Sequence, residues 1–191
     1  MAQDSRKEVI SNLPNTLSLF RMVCIPIVVI CLYFQGRWGS FLAALFLGMA
    51  FITDILDGFY ARKYEAVTVL GKFLDPLADK ILVSSTLIML MALDRIPTWV
   101  VILIVARELA ITGLRSIAVS EGVVIQASSL GKYKTIFQSV ATLGLCLHYE
   151  YLKIDFHVVG MLFLWVALIL TLWSGWAYLR QFNRVFFPES R

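Results

Sequence analysis

Apolar residues in this chain gather into six long runs separated by short polar links, at about 17–35, 39–62, 74–93, 97–119, 131–149 and 156–179. Each run is close to the roughly 20 residues a helix needs to cross the hydrocarbon layer of a bilayer. The pattern predicts an all-α polytopic membrane protein with six transmembrane helices. Residues 1–16 read as a juxtamembrane segment, 17–180 as one six-helix unit that also carries the chemistry, and 181–191 as a tail. On one side the runs are joined by Gln35-Gly36-Arg37, Asp94-Arg95-Ile96-Pro97 and Tyr149–Asp155. On the other lie both termini and the links Arg62–Lys72 and Ser120–Ser129.

Composition narrows the class further. Of 191 residues, 59% are hydrophobic and 16% charged, with mean hydropathy +0.78, against about 45–50% and about 25% in soluble domains. No polar stretch is long enough for a separate soluble domain. Basic residues set the orientation, because short cytoplasmic loops carry an excess of Lys and Arg. All of the 17 basic residues except Arg37, Arg95 and Lys153 fall on the side of the termini, Arg21 among them. That side is expected to face the cytoplasm. The segment before Pro14 has the makings of neither a cleavable signal nor a transit peptide, so insertion is expected to use the first span. Val9, Ile10 and Leu13 allow a short surface helix there, or a frayed polar tail. Cys24, Cys31 and Cys146 lie in apolar runs without paired spacing and read as packing residues. Trp99, Trp165, Trp173, Trp176 and Tyr178 read as interfacial anchors and packing aromatics. No nucleic-acid partner is expected.

Against this apolar background the carboxylates stand out. Ionisable groups at the edge of a bilayer are costly and mark functional sites by default. Asp54, Asp57, Gly58 and Ala61 recur at i, i+3, i+4 and i+7, one face of a helix. Gly71, Asp75 and Asp79 recur every fourth residue, one face of the next. A short link makes the two helices antiparallel neighbours, so the acidic faces can meet. Four converging carboxylates would repel one another unless cations sit between them. All-oxygen sites suit magnesium, manganese or calcium, and a metal pair about 4 Å apart can clamp the attacking and leaving oxygens of a phosphoryl displacement. Gly58 and Ala61 leave room for a ligand, and Arg62 offers a fork of donors to phosphate or ribose oxygens. The bland alternative pairs these acids with Arg62, Lys72 and Lys80 along a solvated rim.

A second polar group lies in the fourth and fifth runs. Glu108, Thr112 and Arg115 fall in one narrow helical sector with Arg107 beside it, and Lys134 shares a face with Gln138. Arg107, Arg115, Lys132 and Lys134 together suit an anion pocket, with Glu108 holding an Arg in place. Two alternatives stay open: snorkelling of Lys132 to the interface, and a purely structural Glu108–Arg115 pair.

The string Asp54-x2-Asp57-Gly58-x2-Ala61-Arg62-x8-Gly71-x3-Asp75-x3-Asp79 resembles the full signature of the CDP-alcohol phosphatidyltransferases, in every position and spacing. The resemblance implies two divalent cations, Mg²⁺ or Mn²⁺. Asp54 and Asp75 would bridge both, Asp57 would complete the first site, and Asp79 would complete the second and act as catalytic base. It further implies a CDP site lined by Gly58, Ala61, Arg62 and Gly71, with Thr68, Asn15 and Ser18 as further nucleotide contacts. Pro14 with Asn15 and Thr16 also reads as a plain helix start. Arg107-Glu108…Thr112-x2-Arg115 followed by Gly131-Lys132-x-Lys134-Thr135-x2-Gln138 resembles the CDP-diacylglycerol–glycerol-3-phosphate 3-phosphatidyltransferases within that family. The expected substrates are then CDP-diacylglycerol and glycerol 3-phosphate, the expected products phosphatidylglycerophosphate and CMP. Membrane lipids surround the protein and a homodimer is the family expectation. The expected location is the bacterial cytoplasmic (inner) membrane, with the active site facing the cytoplasm. Inositol phosphate, serine or phosphatidylglycerol as acceptor is the alternative. A cation transporter would place its acids near midspan with access from both faces, which the one-sided clustering disfavours. A prenyl-transfer enzyme would pack its aspartates more densely, and a scaffold leaves both polar groups unexplained.

Overall fold

The computed structural model describes the backbone of residues 19–64, 69–123 and 129–186, and their side chains apart from those in 57–76 and 124–130. Among the described residues six helices form, one for each apolar run: α1 Leu19–Tyr33, then α2 Arg37–Tyr64, α3 Val69–Ala92, α4 Thr98–Ser120, α5 Ser129–Leu147 and α6 Phe156–Phe186. α2 over Arg37–Leu56 and α6 are long and apolar enough to cross a membrane, with mean hydropathies of 1.9 and 2.2. α4 is 23 residues long but interrupts its apolar surface with Arg107, Glu108 and Arg115.

α3 starts at Val69 rather than near 74. Gly71 thus lies within the helix, as its spacing to Asp75 and Asp79 requires, and Val69, Leu70, Phe73 and Leu74 carry the helical period across Gly71 and Lys72. α6 likewise runs past 179 to Phe186.

α5 sits centrally, packed on α2, α3 and α6, while α4 lies against α6 and α3. Its tightest crossing is with α6. A Cβ added at Gly160 would meet the Leu145 nitrogen at 2.7 Å, and one at Gly144 would meet the Gly160 Cα at 3.1 Å. The two backbones touch because neither glycine has a side chain to hold them apart, the close approach that small residues allow in helix pairs. Gly160→Ala is therefore expected to lower stability by about 1–3 kcal/mol through forced separation, read as a drop in Tm in detergent. Gly113→Ala, with nothing within 4 Å of the added methyl, should leave Tm unchanged or raise it.

At the end of the bundle bearing Arg37 and Lys153, α3 closes with Asp94 in the left-handed region (φ 57°). The Arg95 amide bonds the Leu90 carbonyl at 3.0 Å and the Asp94 amide bonds that of Met91 at 3.0 Å, the paired bonds of a Schellman end. This turn drives Arg95 inward. Its guanidinium donates to the Leu145 and Cys146 carbonyls at 3.2 and 3.0 Å and to Ser40 Oγ at 2.9 Å, so a residue counted from sequence as a loop charge is a buried clamp on α2 and α5. The link before α6 is a small antiparallel hairpin, β1 Glu150–Tyr151 with β2 Ile154–Asp155, in register Glu150↔Asp155. Leu152 and Lys153 turn it with φ of 51° and 66°. Such turns usually advertise themselves with Asn-Gly. Asp155 Oδ1 then caps α6, accepting from the His157 and Val158 amides at 2.9 and 3.2 Å.

Candidate active site

The polar groups concentrate at the opposite end. α1 turns Cys24, Val28 and Leu32 into the core, and Arg21 continues the same stripe, 1% exposed. Its Nη1 donates to Asp54 Oδ1 of α2 at 2.5 Å. The Asp54 side chain remains 48% exposed. Across from it on α3, Asp79 follows the fully buried Ala78 and is partly buried. Asp79 shares a cavity lining with Glu108 and Lys134. Asp57 occupies the same continuous helix as Asp54, and Gly71 and Asp75 precede Asp79 in α3, as the spacing required. The side chains of Asp57, Gly58, Ala61, Arg62, Gly71 and Asp75, and all of Asn15, Ser18 and Thr68, lie outside what is described. Among the described residues no three His, Cys, Asp or Glu close on one point.

A cavity of about 320 Å³ opens beside Asp79, lined from α3, α4, α5 and α6. All four expected acceptor cations, Arg107, Arg115, Lys132 and Lys134, line it, and so does Lys80. Glu108 organises them. It accepts from Arg107 Nη1 at 3.0 Å and from Lys134 Nζ, with Lys134 only 5% exposed. Buried cations need such a partner, because desolvation without one costs more than folding can absorb. Arg107 Nη2 donates to Ser174 Oγ at 2.8 Å. The next residue, Gly175, makes room: a Cβ there would come within 3.1 Å of Arg107 Nε. Lys80 Nζ donates to Thr112 Oγ1 at 2.6 Å, and Thr112 Oγ1 donates to the Glu108 carbonyl at 2.7 Å.

Some readings change at this point. Glu108 does hold an Arg, but it is Arg107. Arg115 instead sits over the Tyr178 ring, its guanidinium carbon 6.0 Å from the centroid. Lys132 is exposed at the rim of the cavity, whereas Lys134 and Gln138 are both buried. Tyr178 is no interfacial anchor: it is buried and lines the cavity, unlike Trp173 and Trp176, which are 66% and 65% exposed. Lys80, Ser174 and Tyr178 were missed as site residues. The available signal was Ser174-Gly175 in the most apolar helix, with Tyr178 one turn beyond Ser174.

Among the described residues, five cationic side chains face two carboxylates in this cavity. Arg107 Nε and the Tyr178 hydroxyl are buried without a partner among the described residues. An orphaned buried donor is costly. An anionic guest with several oxygens would supply what both lack.

The chain belongs to the CDP-alcohol phosphatidyltransferase family, whose profile matches residues 11–173. It is similar to the CDP-diacylglycerol–glycerol-3-phosphate 3-phosphatidyltransferase of Bacillus subtilis (strain 168), 43% identical over 183 residues that cover 87% of this chain and 93% of that protein. Proteins bearing the same name from Rickettsia felis (37% identical, 92% of this chain and 97% of that protein) and Shigella flexneri serotype 5b (38%, 88% and 93%) are also similar.

Proposed function

We propose that this protein transfers the phosphatidyl group of CDP-diacylglycerol to sn-glycerol 3-phosphate, giving phosphatidylglycerophosphate and CMP. One observation carries the reading: Asp79, the last carboxylate of the motif, lines the cationic cavity. A base placed there can reach the hydroxyl of a small molecule whose phosphate lies among Arg107, Arg115, Lys132 and Lys134. The identity of the similar proteins supports the same substrates.

The donor set suits hard divalent cations. Asp54 and Asp79 offer oxygen donors, and the Arg21 guanidinium pairs with Asp54. Mg²⁺ or Mn²⁺ held by Asp54, Asp57, Asp75 and Asp79 would stabilise charge on the donor diphosphate. The chain's own groups do the rest. Glu108 keeps Arg107 and Lys134 in place, the cations hold the acceptor phosphate, and Asp79 takes the proton of the sn-1 hydroxyl. That oxygen forms its bond to the β-phosphorus of the donor as the bond to CMP breaks. Six membrane spans, with this end of the bundle facing the cytoplasm of a bacterial inner membrane, fit the six helices and the charge bias. That bias stands without Arg21 and Arg95, which the fold buries.

The test is CMP release by purified protein with CDP-diacylglycerol, across glycerol 3-phosphate, serine, inositol phosphate and phosphatidylglycerol. Glycerol 3-phosphate should dominate, and preference for a neutral acceptor would overturn the assignment. Arg115→Ala should raise the acceptor KM by about tenfold or more, from a lost charge-assisted contact of roughly 1.5–3 kcal/mol. The KM for CDP-diacylglycerol should barely move, and equal effects on both would count against the pocket.

A further inference from the structure

We propose that Arg21 is a positioning residue for Asp54: its buried guanidinium fixes that carboxylate on the α2 face and supplies the positive charge the acidic cluster needs before divalent cations bind. The proposal rests on the metal-binding reading above. By sequence Arg21 belongs with the charges that orient the chain in a membrane. By structure it is 1% exposed, on the inward stripe of α1 with Cys24, Val28 and Leu32. A charge carried that far out of water must be compensated at its head, and Asp54 Oδ1 lies 2.5 Å from its Nη1.

The pair is lopsided in a telling way. Here the guanidinium is sealed while the Asp54 side chain stays 48% exposed, held on one side and open on the other. An aspartate so placed keeps its direction yet can still accept a second cation. Arg21 reaches the first carboxylate of the motif from a helix that contributes none of them.

The two roles predict effects of opposite direction. Without the guanidinium the acidic cluster is more negative, so a divalent cation should bind more tightly. Asp54, no longer aimed, should serve turnover less well. A structural role alone would weaken both together. The experiment is Mn²⁺ titration of purified protein in lipid nanodiscs, with free Mn²⁺ read by its electron paramagnetic resonance signal and kcat measured in parallel. Arg21→Gln should bind Mn²⁺ about tenfold more tightly, a charge effect near 1.4 kcal/mol, while kcat falls. Wild-type binding with unchanged or weaker binding by Arg21→Gln overturns the proposal and leaves the metal reading standing. No Mn²⁺ binding by the wild type overturns both. Should Arg21→Gln not fold, Arg21→Lys decides, because it keeps the charge and loses the planar fork. It should hold Mn²⁺ affinity near wild type and lower kcat, and an unchanged kcat overturns the proposal.

Discussion

Asp79→Asn is expected to lower kcat by about 10²–10⁴-fold, the usual contribution of a positioned general base, with little change in expression or membrane insertion. The amide keeps the size of the carboxylate but cannot take a proton. Asp79 is the one described carboxylate of the motif that lines the cationic cavity, so no described neighbour can take over its position. Glu108, the other carboxylate lining the cavity, is committed to Arg107 and Lys134. Single-turnover CMP release separates the chemical step from binding. Near-normal release by Asp79→Asn would remove the base assignment.

The second large effect belongs to Glu108. Glu108→Ala takes the shared acceptor from Arg107 and from Lys134, side chains that are 15% and 7% exposed. Removing one partner of a buried charge pair costs about 3–5 kcal/mol, and partial solvent access at Glu108 places this case toward the lower figure. Tm in detergent should fall accordingly. The cavity, left with Asp79 as its sole carboxylate against five cations, should then gain more from an added anion. Inorganic phosphate is expected to raise the Tm of Glu108→Ala by more than it raises that of wild type. An equal rise in both would show that Glu108 does not organise the cations.

Much of this was legible in the chain because membranes simplify the code. Six apolar runs became six helices, since helix is the backbone's way to satisfy itself out of water. The acidic spacing survived intact because Asp54 and Asp57 share one unbroken helix and Gly71, Asp75 and Asp79 another. What stayed illegible depended on tertiary contact. Arg21 and Arg95 look like ordinary loop or helix-end charges, and only packing reveals that each is sealed in the core. Tyr178 looks like an interfacial aromatic until the neighbouring Arg115 and the cavity wall are in place. The Leu152–Lys153 turn carries no glycine or asparagine, so its left-handed backbone follows from the strands and helix it joins.

The contact of Gly144 with Gly160 bears on how a lipid reaches the site. Ten residues along α5 from Lys134, Gly144 lies roughly 15 Å deeper at 1.5 Å per residue, about half the thickness of the hydrocarbon layer. There the α5 and α6 backbones touch, leaving no slot for a methylene chain. The fatty tails of a nucleotide-activated lipid therefore cannot hang through that seam while its head group is being exchanged. At that level they would lie along another flank of the bundle.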